Sequence, residues 1–175
     1  DRKGPGLDVY DPAARGKLWV ADVKDADFRE LFVDGLRRVR ARSPNEGFFR
    51  VEKVGPDRRR QFTFRAGDIR PLADLNSLEL VFYHDWCTSR MPISSIDFKT
   101  RRLTVAFPVG TRVGQPFSWG NMDHHGKHQR YFIENALELL DRPGEWFLNS
   151  KAGRLYYYPT DVEAMRKSEF VAPRL

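Results

Sequence analysis

The chain has 175 residues and a formal net charge of +6, from 30 Lys and Arg residues against 24 Asp and Glu residues. Its length fits one domain, no apolar run approaches the roughly 18 residues of a transmembrane helix, and the single cysteine, Cys87, excludes a disulfide scaffold. The 13 Phe, 6 Tyr and 4 Trp residues are spread along the chain, which argues against disorder. We therefore expect one soluble, basic, aromatic-rich domain over residues 1–175, with no membrane partner.

The first six residues, Asp1 to Gly6, contain neither an initiating Met nor the apolar segment of a signal peptide. They predict a piece cut from a longer chain. One free cysteine is compatible with a cytosolic, a periplasmic or an exported protein, so composition leaves the compartment open.

Strand-like runs fill the first two thirds of the chain, at residues 17–23, 30–33, 36–42, 48–54, 61–64, 78–86, 91–97 and 102–107. Asp34-Gly35 lies between two of them, and both residue types tolerate the positive φ of a hairpin turn. Residues 98–101 predict a second hairpin. Residues 108–130 are irregular and contain Gly, Pro, Ser, Asn and three clustered histidines, which predicts a long loop of the kind that is often functional.

The last third mixes two patterns. Residues 131–140 carry apolar side chains at a helical spacing and predict a short helix. Residues 145–149 and 154–159 flank a turn and predict a hairpin in which Trp146, like Trp19 earlier in the chain, belongs to the core. A final short helix is expected over residues 161–167, with Thr160 as its N-cap. The fold predicted is mainly β: an antiparallel β-barrel or β-sandwich with one or two short helices and a long irregular loop.

Three groups of motifs carry a family resemblance. They are FRELFVDG (28–35) with RARSPNEG (40–47), YHDW (83–86) with ISSID (93–97), and RYFIENA (130–136) with LDRPGEWFL (140–148) and GRLYYYP (153–159). This series resembles the β-rich domain inserted in large right-handed parallel β-helix proteins similar to glycoside hydrolase family 141. The resemblance covers roughly residues 17–160, and its signatures are specific for that insertion rather than for one enzyme activity.

The resemblance implies an accessory domain of an enzyme that acts on plant cell-wall glycans, in a group with α-L-fucosidase and xylanase activities. It implies that the catalytic carboxylates lie on the β-helix, whose short repeated coils are absent from this sequence. No catalytic residue is therefore assigned, and the segment is predicted to be non-catalytic, although a small hydrolase in its own right stays an alternative. The domain is expected to pack on its parent β-helix and to shape the substrate cleft, in an extracellular or periplasmic protein.

Six side chains are the candidates for glycan contact, because sugars pack on aromatic faces while polar groups fix their hydroxyls. They are His84, Trp86, Arg90, Trp119, Asn121 and His125. The alternative is structural: Trp86 ends a core strand, and Trp119 packs a loop. Both interpretations are left open here.

Other chemistry has weaker support in the sequence. His124, His125 and His128 are clustered, but Gly126 weakens the helix that would align them and no Cys pair assists, so no metal and no cofactor is predicted. Acid pairs such as Glu134 with Asp141, or Asp85 with Asp97, are not selected by any spacing. Neither Cys87 nor the Ser94-Ser95 pair has the flanking motif of a nucleophile.

Arginine clusters at residues 37–42 and 58–60 raise a rival function, a free-standing basic β-barrel that binds single-stranded nucleic acid. Acidic residues are interleaved throughout and the net charge is modest, so nucleic acid is not the expected partner. Basic side chains also protect sheet edges, and such a surface would suit an acidic glycan. The sequence favours an accessory carbohydrate-related domain, with nucleic-acid binding as the alternative.

Overall fold

The computed structural model describes residues 12, 14–23, 27–57, 59–84, 87–109 and 129–173. Within these residues the regular structure consists of strands and two short 3-10 helices. The strands are β1 (Trp19–Asp22), β2 (Phe32–Val33), β3 (Leu36–Arg37), β4 (Val39–Arg40), β5 (Arg42–Ser43), β6 (Phe49–Arg50), β7 (Lys53–Val54), β8 (Gln61–Thr63), β9 (Glu79–Tyr83), β10 (Thr88–Asp97), β11 (Arg102–Val105), β12 (Arg130–Glu134), β13 (Glu145–Asn149), β14 (Arg154–Tyr157) and β15 (Phe170–Val171). The predicted mainly β class, with antiparallel sheets, is confirmed.

The chain forms two compact units. Unit 1 combines Asp1–Arg42 with Asn135–Leu175, and unit 2 is the continuous segment Ser43–Glu134. In the part of the chain that is described, no helix is long and apolar enough to span a membrane. Residues 110–128, most of the predicted irregular loop, lie outside the described residues.

Unit 1 contains a four-stranded sheet of order β1-β14-β13-β4 and a three-stranded sheet of order β15-β2-β3. The β13–β14 hairpin is antiparallel, as predicted, whereas β4 joins β13 in parallel, with Trp146 opposite Arg40. Asp34 and Gly35 connect β2 to β3 with φ angles of 52° and 74°, so the predicted hairpin turn is confirmed.

The core of unit 1 surrounds Trp146, which is fully buried. The cluster comprises Phe28, Leu31, Val33, Trp146, Leu148, Leu155, Tyr157 and Met165. The Trp146 indole Nε1–H donates to the Arg38 carbonyl at 3.2 Å, which satisfies the one polar group of that side chain. Trp19 packs against the same cluster, so the predicted core role of both tryptophans is confirmed.

Unit 2 contains an eight-stranded sheet of order β5-β12-β9-β10-β11-β8-β7, with β6 also paired to β12. The long strand β10 pairs with β9 and then with β11, and a bulge between Ile93 and Ser95 marks a shift in register. Residues 98–101 join β10 to β11, which confirms the second predicted hairpin.

The helix predicted over residues 131–140 is wrong. Residues up to Glu134 form strand β12, Asn135 adopts a positive φ of 65°, and only Leu137–Leu139 form one 3-10 turn. The apolar run Tyr131, Phe132 and Ile133 is buried on both faces of a sheet. A strand of this kind lacks the alternation that distinguishes it from a helix.

The predicted C-terminal helix is shorter than expected, because its regular part is the 3-10 segment Ala164–Lys167. Thr160 is not its cap. Asp161 Oδ1 instead accepts hydrogen bonds from the backbone N–H groups of Glu163 at 2.8 Å and Ala164 at 3.0 Å. The capping chemistry is therefore present one residue later than the sequence indicated.

Candidate functional site

The strongest candidate surface in unit 2 is one face of the four neighbouring strands β6, β12, β9 and β10. Residues directly opposite each other in a sheet share a face, and so do residues two positions apart along a strand. The strand registers therefore assign eleven side chains to this face, in three rows across the strands. The first row is Arg50, Arg130, Tyr83 and Thr88; the second is Phe48, Phe132, Val81 and Arg90; the third is Glu134, Glu79 and Pro92. We call this surface the β12 face.

Aromatic rings and a guanidinium group meet at the first two rows of the β12 face. The Phe48 and Tyr83 rings lie edge to face with centroids 4.7 Å apart. The Arg130 guanidinium carbon is 5.1 Å from the Phe48 centroid and 5.4 Å from the Tyr83 centroid. Phe48 is 40% exposed and Arg130 is also exposed, so the cluster is open to solvent. Each such cation–π contact at an exposed site is worth about 0.5–1 kcal/mol.

The opposite end of the β12 face is acidic and buried. Glu134 and Glu79 are directly opposite each other on β12 and β9, and both are buried. Arg90 Nε donates to Glu134 Oε1 at 3.0 Å, with the side chains of Arg90 and Glu134 39% and 5% exposed. Like charges directly opposite each other destabilise a sheet, and Arg90 offsets that repulsion. Both carboxylates are buried and that of Glu134 is ion-paired, so this end of the face does not present an exposed acid and base to a substrate.

The structure places the two described glycan-contact candidates on opposite faces. Arg90 lies on the β12 face, whereas the His84 side chain is buried, with 6% exposure, on the other side of the β9–β10 hairpin. His84 Nε2 is 2.7 Å from Ser89 Oγ, and the imidazole ring is 5.2 Å from the Phe82 ring. Trp86, Trp119, Asn121 and His125 lie outside the described residues, so their glycan contacts stay predictions.

The His84–Ser89 distance is within the range of a base and the nucleophile it activates. Ser89, however, lies inside strand β10 and is opposite Phe82, whose side chain is fully buried. The His84 imidazole that would act as the base is itself buried. The contact is a cross-strand hydrogen bond that joins the ends of β9 and β10.

A second buried polar pair lies on the core side of the same sheet. The Tyr131 hydroxyl donates to Asp68 Oδ2 at 3.1 Å. Burial raises the pKa of the Asp68 carboxyl, and the Tyr131 hydrogen bond partly counteracts that rise. Burial also raises the pKa of Tyr131, so the phenol stays protonated and remains the donor.

The arginine clusters are largely engaged in local contacts. Arg37 pairs with Glu30 at 2.6 Å, and the Arg40 guanidinium lies 5.5 Å from the Trp146 ring. Arg59 donates from Nε and Nη2 to the Val109 carbonyl at 3.2 and 3.0 Å, and Arg60 lies 3.9 Å from Asp57. Arg58 lies outside the described residues. These contacts favour a structural role for the clusters, and the expectation that nucleic acid is not the partner stays a prediction.

The described residues contain no group of three His, Cys, Asp or Glu side chains that would hold a metal ion. The histidine cluster of the sequence, at residues 124–128, lies outside them.

Sequence reasoning missed Phe48, Tyr83 and Arg130 as a cluster. Phe48 and Arg130 are far apart in the chain, and they meet only because β6 pairs with β12. No local pattern encodes that pairing. The signal available was modest: an aromatic residue just before a short strand, and an arginine at the first position of another.

Comparison with known proteins agrees with this architecture. A solved structure described as "Glycoside hydrolase" superimposes with a TM-score of 0.69 at 25% sequence identity, covering 91% of this chain and 30% of that chain. The present chain therefore spans about a third of the length of that protein. No curated protein matches the sequence.

The fold and this similarity define a mainly β domain associated with glycoside hydrolases. The family model described as "GH141 insertion domain" matches residues 16–160. The chain belongs to the GH141 insertion domain family, as its motifs predicted.

Proposed function

We propose that this chain is a non-catalytic accessory domain, inserted in a right-handed β-helix protein that acts on plant cell-wall glycans. In this proposal it packs on its parent β-helix, shapes the substrate cleft and contacts glycan through the exposed part of the β12 face. An extracellular or periplasmic location belongs to the same proposal, because cell-wall polymers are found outside the cell that degrades them. Membership of the insertion-domain family and the 30% coverage of a longer glycoside hydrolase support it.

The observation that carries the glycan contact is the exposed Phe48–Tyr83–Arg130 cluster. Carbohydrate sites pair apolar rings, which pack on the C–H faces of a sugar, with a few placed polar groups that bind its hydroxyls. Phe48 offers a partly exposed ring, and the guanidinium of Arg130, which lies over that ring, has N–H donors in its own plane. Thr88, at the same end of the face, is exposed and adds a hydroxyl.

A non-catalytic role fits the carboxylates of the β12 face. Glycoside hydrolysis needs two carboxyl groups that flank the scissile bond, about 5–10 Å apart. Glu79 and Glu134 are neighbours, but both are buried and Arg90 is ion-paired to Glu134. A sugar cannot enter between them without opening the sheet.

Binding tests this function directly. Isothermal titration of the chain with neutral and acidic cell-wall oligosaccharides is expected to show weak binding that Phe48→Ala reduces at least about fivefold. Phe98→Ala is the matched control, because Phe98 is also 40% exposed but packs near Phe64 away from the cluster. Equal losses from the two variants, or no binding to any oligosaccharide, would contradict a glycan role for the β12 face.

The rival function and the parent are tested separately. Binding to single-stranded nucleic acid through phosphates would weaken steeply between about 50 and 200 mM salt, whereas stacking on sugar rings would not. The non-catalytic assignment requires that the isolated chain releases no sugar from glycans that the full-length parent hydrolyses. Hydrolysis by the isolated chain would overturn it.

A further inference from the structure

The first row of the β12 face brings two arginines into direct opposition. Arg50 on β6 and Arg130 on β12 are paired Cα partners, so their side chains leave the sheet on the same side. Like charges directly opposite each other destabilise a sheet unless something offsets the repulsion. Arg130 lies over the rings of Phe48 and Tyr83, and these rings face its positive charge with their π electrons.

Among the described residues, the Arg130 guanidinium contacts these two rings, and no carboxylate is paired with it. The acids of the β12 face lie in its third row. Glu134 is four residues from Arg130 along β12, about 13 Å at about 3.3 Å per residue, and it is ion-paired to Arg90. The face is therefore basic and aromatic at its exposed end, and acidic at its buried end.

We propose that the exposed end of the β12 face binds a carboxylate-bearing sugar, a uronic acid residue within a glycan. The sugar ring packs against the exposed edge of Phe48, and its carboxylate accepts hydrogen bonds from the Arg130 guanidinium, with Arg50 adding positive charge on the same face. The inference rests on the proposed function, since it names the class of glycan that the same cluster contacts.

The chemistry of a uronic acid matches the arrangement. Its carboxylate projects from the edge of the sugar ring. Because Arg130 lies over the Phe48 ring, 5.1 Å from its centroid, a sugar that packs against the exposed edge of Phe48 brings this carboxylate next to the guanidinium. Guanidinium–carboxylate hydrogen bonds are charge-assisted and often bidentate, which makes them stronger than those to a hydroxyl. A neutral sugar keeps the stacking but loses this contact.

The test compares two probes that share one sugar backbone and differ in whether the carboxyl groups are ionised or methyl-esterified. Trigalacturonic acid and its fully methyl-esterified form are titrated into the chain at 150 mM salt, with binding followed by calorimetry and by the NMR signals of Phe48 and Tyr83. The acid is expected to bind about tenfold more tightly than the ester. Arg130→Gln is expected to remove the preference, while Arg60→Gln, a substitution at another exposed arginine of unit 2, preserves it. Arg50→Gln provides a second variant should Arg130→Gln unfold, and it is expected to reduce the preference severalfold.

The outcomes separate the inference from the proposed function. Equal binding of acid and ester, both sensitive to Phe48→Ala, would overturn the uronic acid assignment and leave a neutral glycan surface. A preference for the acid that survives both Arg130→Gln and Arg50→Gln would overturn the assignment to the arginine pair. Binding of neither probe, nor of any other oligosaccharide, would overturn both proposals. Displacement of the acid by oligothymidylate at equal concentration would assign the cluster to nucleic acid instead.

Discussion

The Asn135 side chain completes the hydrogen bonding of Leu148 as a neighbouring strand would. Asn135 Nδ2 donates to the Leu148 carbonyl at 3.2 Å, and the Leu148 N–H donates to Asn135 Oδ1 at 3.1 Å. Both residues are buried within unit 1, and Asn135 holds a positive φ of 65°. One amide therefore satisfies two backbone groups of β13 at a point where the chain itself turns away.

Replacing this amide is expected to destabilise the protein. Asn135→Gly keeps the positive φ accessible but removes both hydrogen bonds, and leaves a buried N–H and a buried C=O of Leu148 unsatisfied. We expect a loss of about 2–4 kcal/mol in the free energy of unfolding, at about 1–3 kcal/mol for each buried group. Urea denaturation measures it. Asn149→Ala, at the last residue of β13, removes a hydrogen bond from the Ala152 N–H and is expected to cost under about 1 kcal/mol. Equal costs would show that the amide bridge contributes little.

Glu145 makes stability depend on pH near neutrality. Its Oε2 accepts hydrogen bonds from the backbone N–H groups of Asp141 and Arg142, both at 3.1 Å, but burial dominates and raises the pKa of this carboxyl to about 7. The folded chain therefore holds a proton that the unfolded chain has already released above pH 4.5. Its stabilising contribution is complete below that pH and is lost as pH rises through 7.

Glu145→Gln is expected to remove this dependence. The variant's amide oxygen still accepts the two backbone hydrogen bonds, but it has no proton to lose. Wild type should lose up to about 3 kcal/mol relative to the variant between pH 5 and pH 8, at about 1.4 kcal/mol for each unit of pKa. Thermal denaturation across that pH range checks the expectation. Parallel stability curves for the two proteins would contradict the raised pKa.

The Tyr131–Asp68 hydrogen bond restrains the pKa of a partly buried acid. Tyr131→Phe removes the hydroxyl that favours the ionised carboxyl, so the pKa of Asp68, already above its usual value, should rise further. Because this pKa is raised in the folded state, stability falls as pH rises from the unfolded pKa to the folded one, and in the variant this fall should extend to higher pH. Carboxyl ¹³C NMR follows the titration. Tyr158→Phe, a hydroxyl deletion in unit 1, should leave the Asp68 titration where it is.

Gly55 allows a close approach within the β7–β8 hairpin. A Cβ at this position would lie 2.5 Å from Gln61 Cβ and 2.8 Å from the Gln61 backbone carbon and oxygen. The Gly55 N–H also donates to that carbonyl at 2.9 Å. Gly55→Ala must therefore displace backbone, and we expect a cost of about 1–3 kcal/mol with faster hydrogen exchange at residue 55. Gly47→Ala strains a backbone position with a φ of 70° but meets no neighbour within 4 Å, so whatever its own cost it should leave exchange in the β7–β8 hairpin unchanged.

Local chemistry explains which parts of the fold were predictable. Asp34-Gly35 encodes its hairpin because both residues accept positive φ, and Trp146 is buried because its run is apolar and strand-like. The prediction of a helix over residues 131–140 was wrong because a strand that is buried on both faces and a buried helix have similar apolar content. What decides between them is the pairing of β12 with β9 and β6, which depends on residues far away in the chain.

The candidate surface was predictable only in part, for the same reason. Arg90 was identified beside a β-prone segment, and it does lie on the β12 face. His84 was equally conspicuous in the sequence, yet its side chain is buried beside Ser89. The face on which a side chain lies at the end of a hairpin strand depends on the residue at which strand pairing ends. The Phe48–Arg130 contact depends on the register between strands that are far apart in the chain. Local sequence patterns do not encode that register.

The division of unit 1 into two chain segments has a consequence for folding order. The Asn135 N–H donates to the Ala41 carbonyl at 2.8 Å, so the chain leaves unit 1 and returns to it at adjacent backbone positions. If the segment that forms unit 2 were unstructured, every contact between the two segments of unit 1 would cost the entropy of closing a loop of that length. If unit 2 folds first it fixes its own ends, and the two halves of unit 1 can then join as if they were nearly continuous. Unit 1 would in that case be the last part to form, and the first to open when the protein is heated.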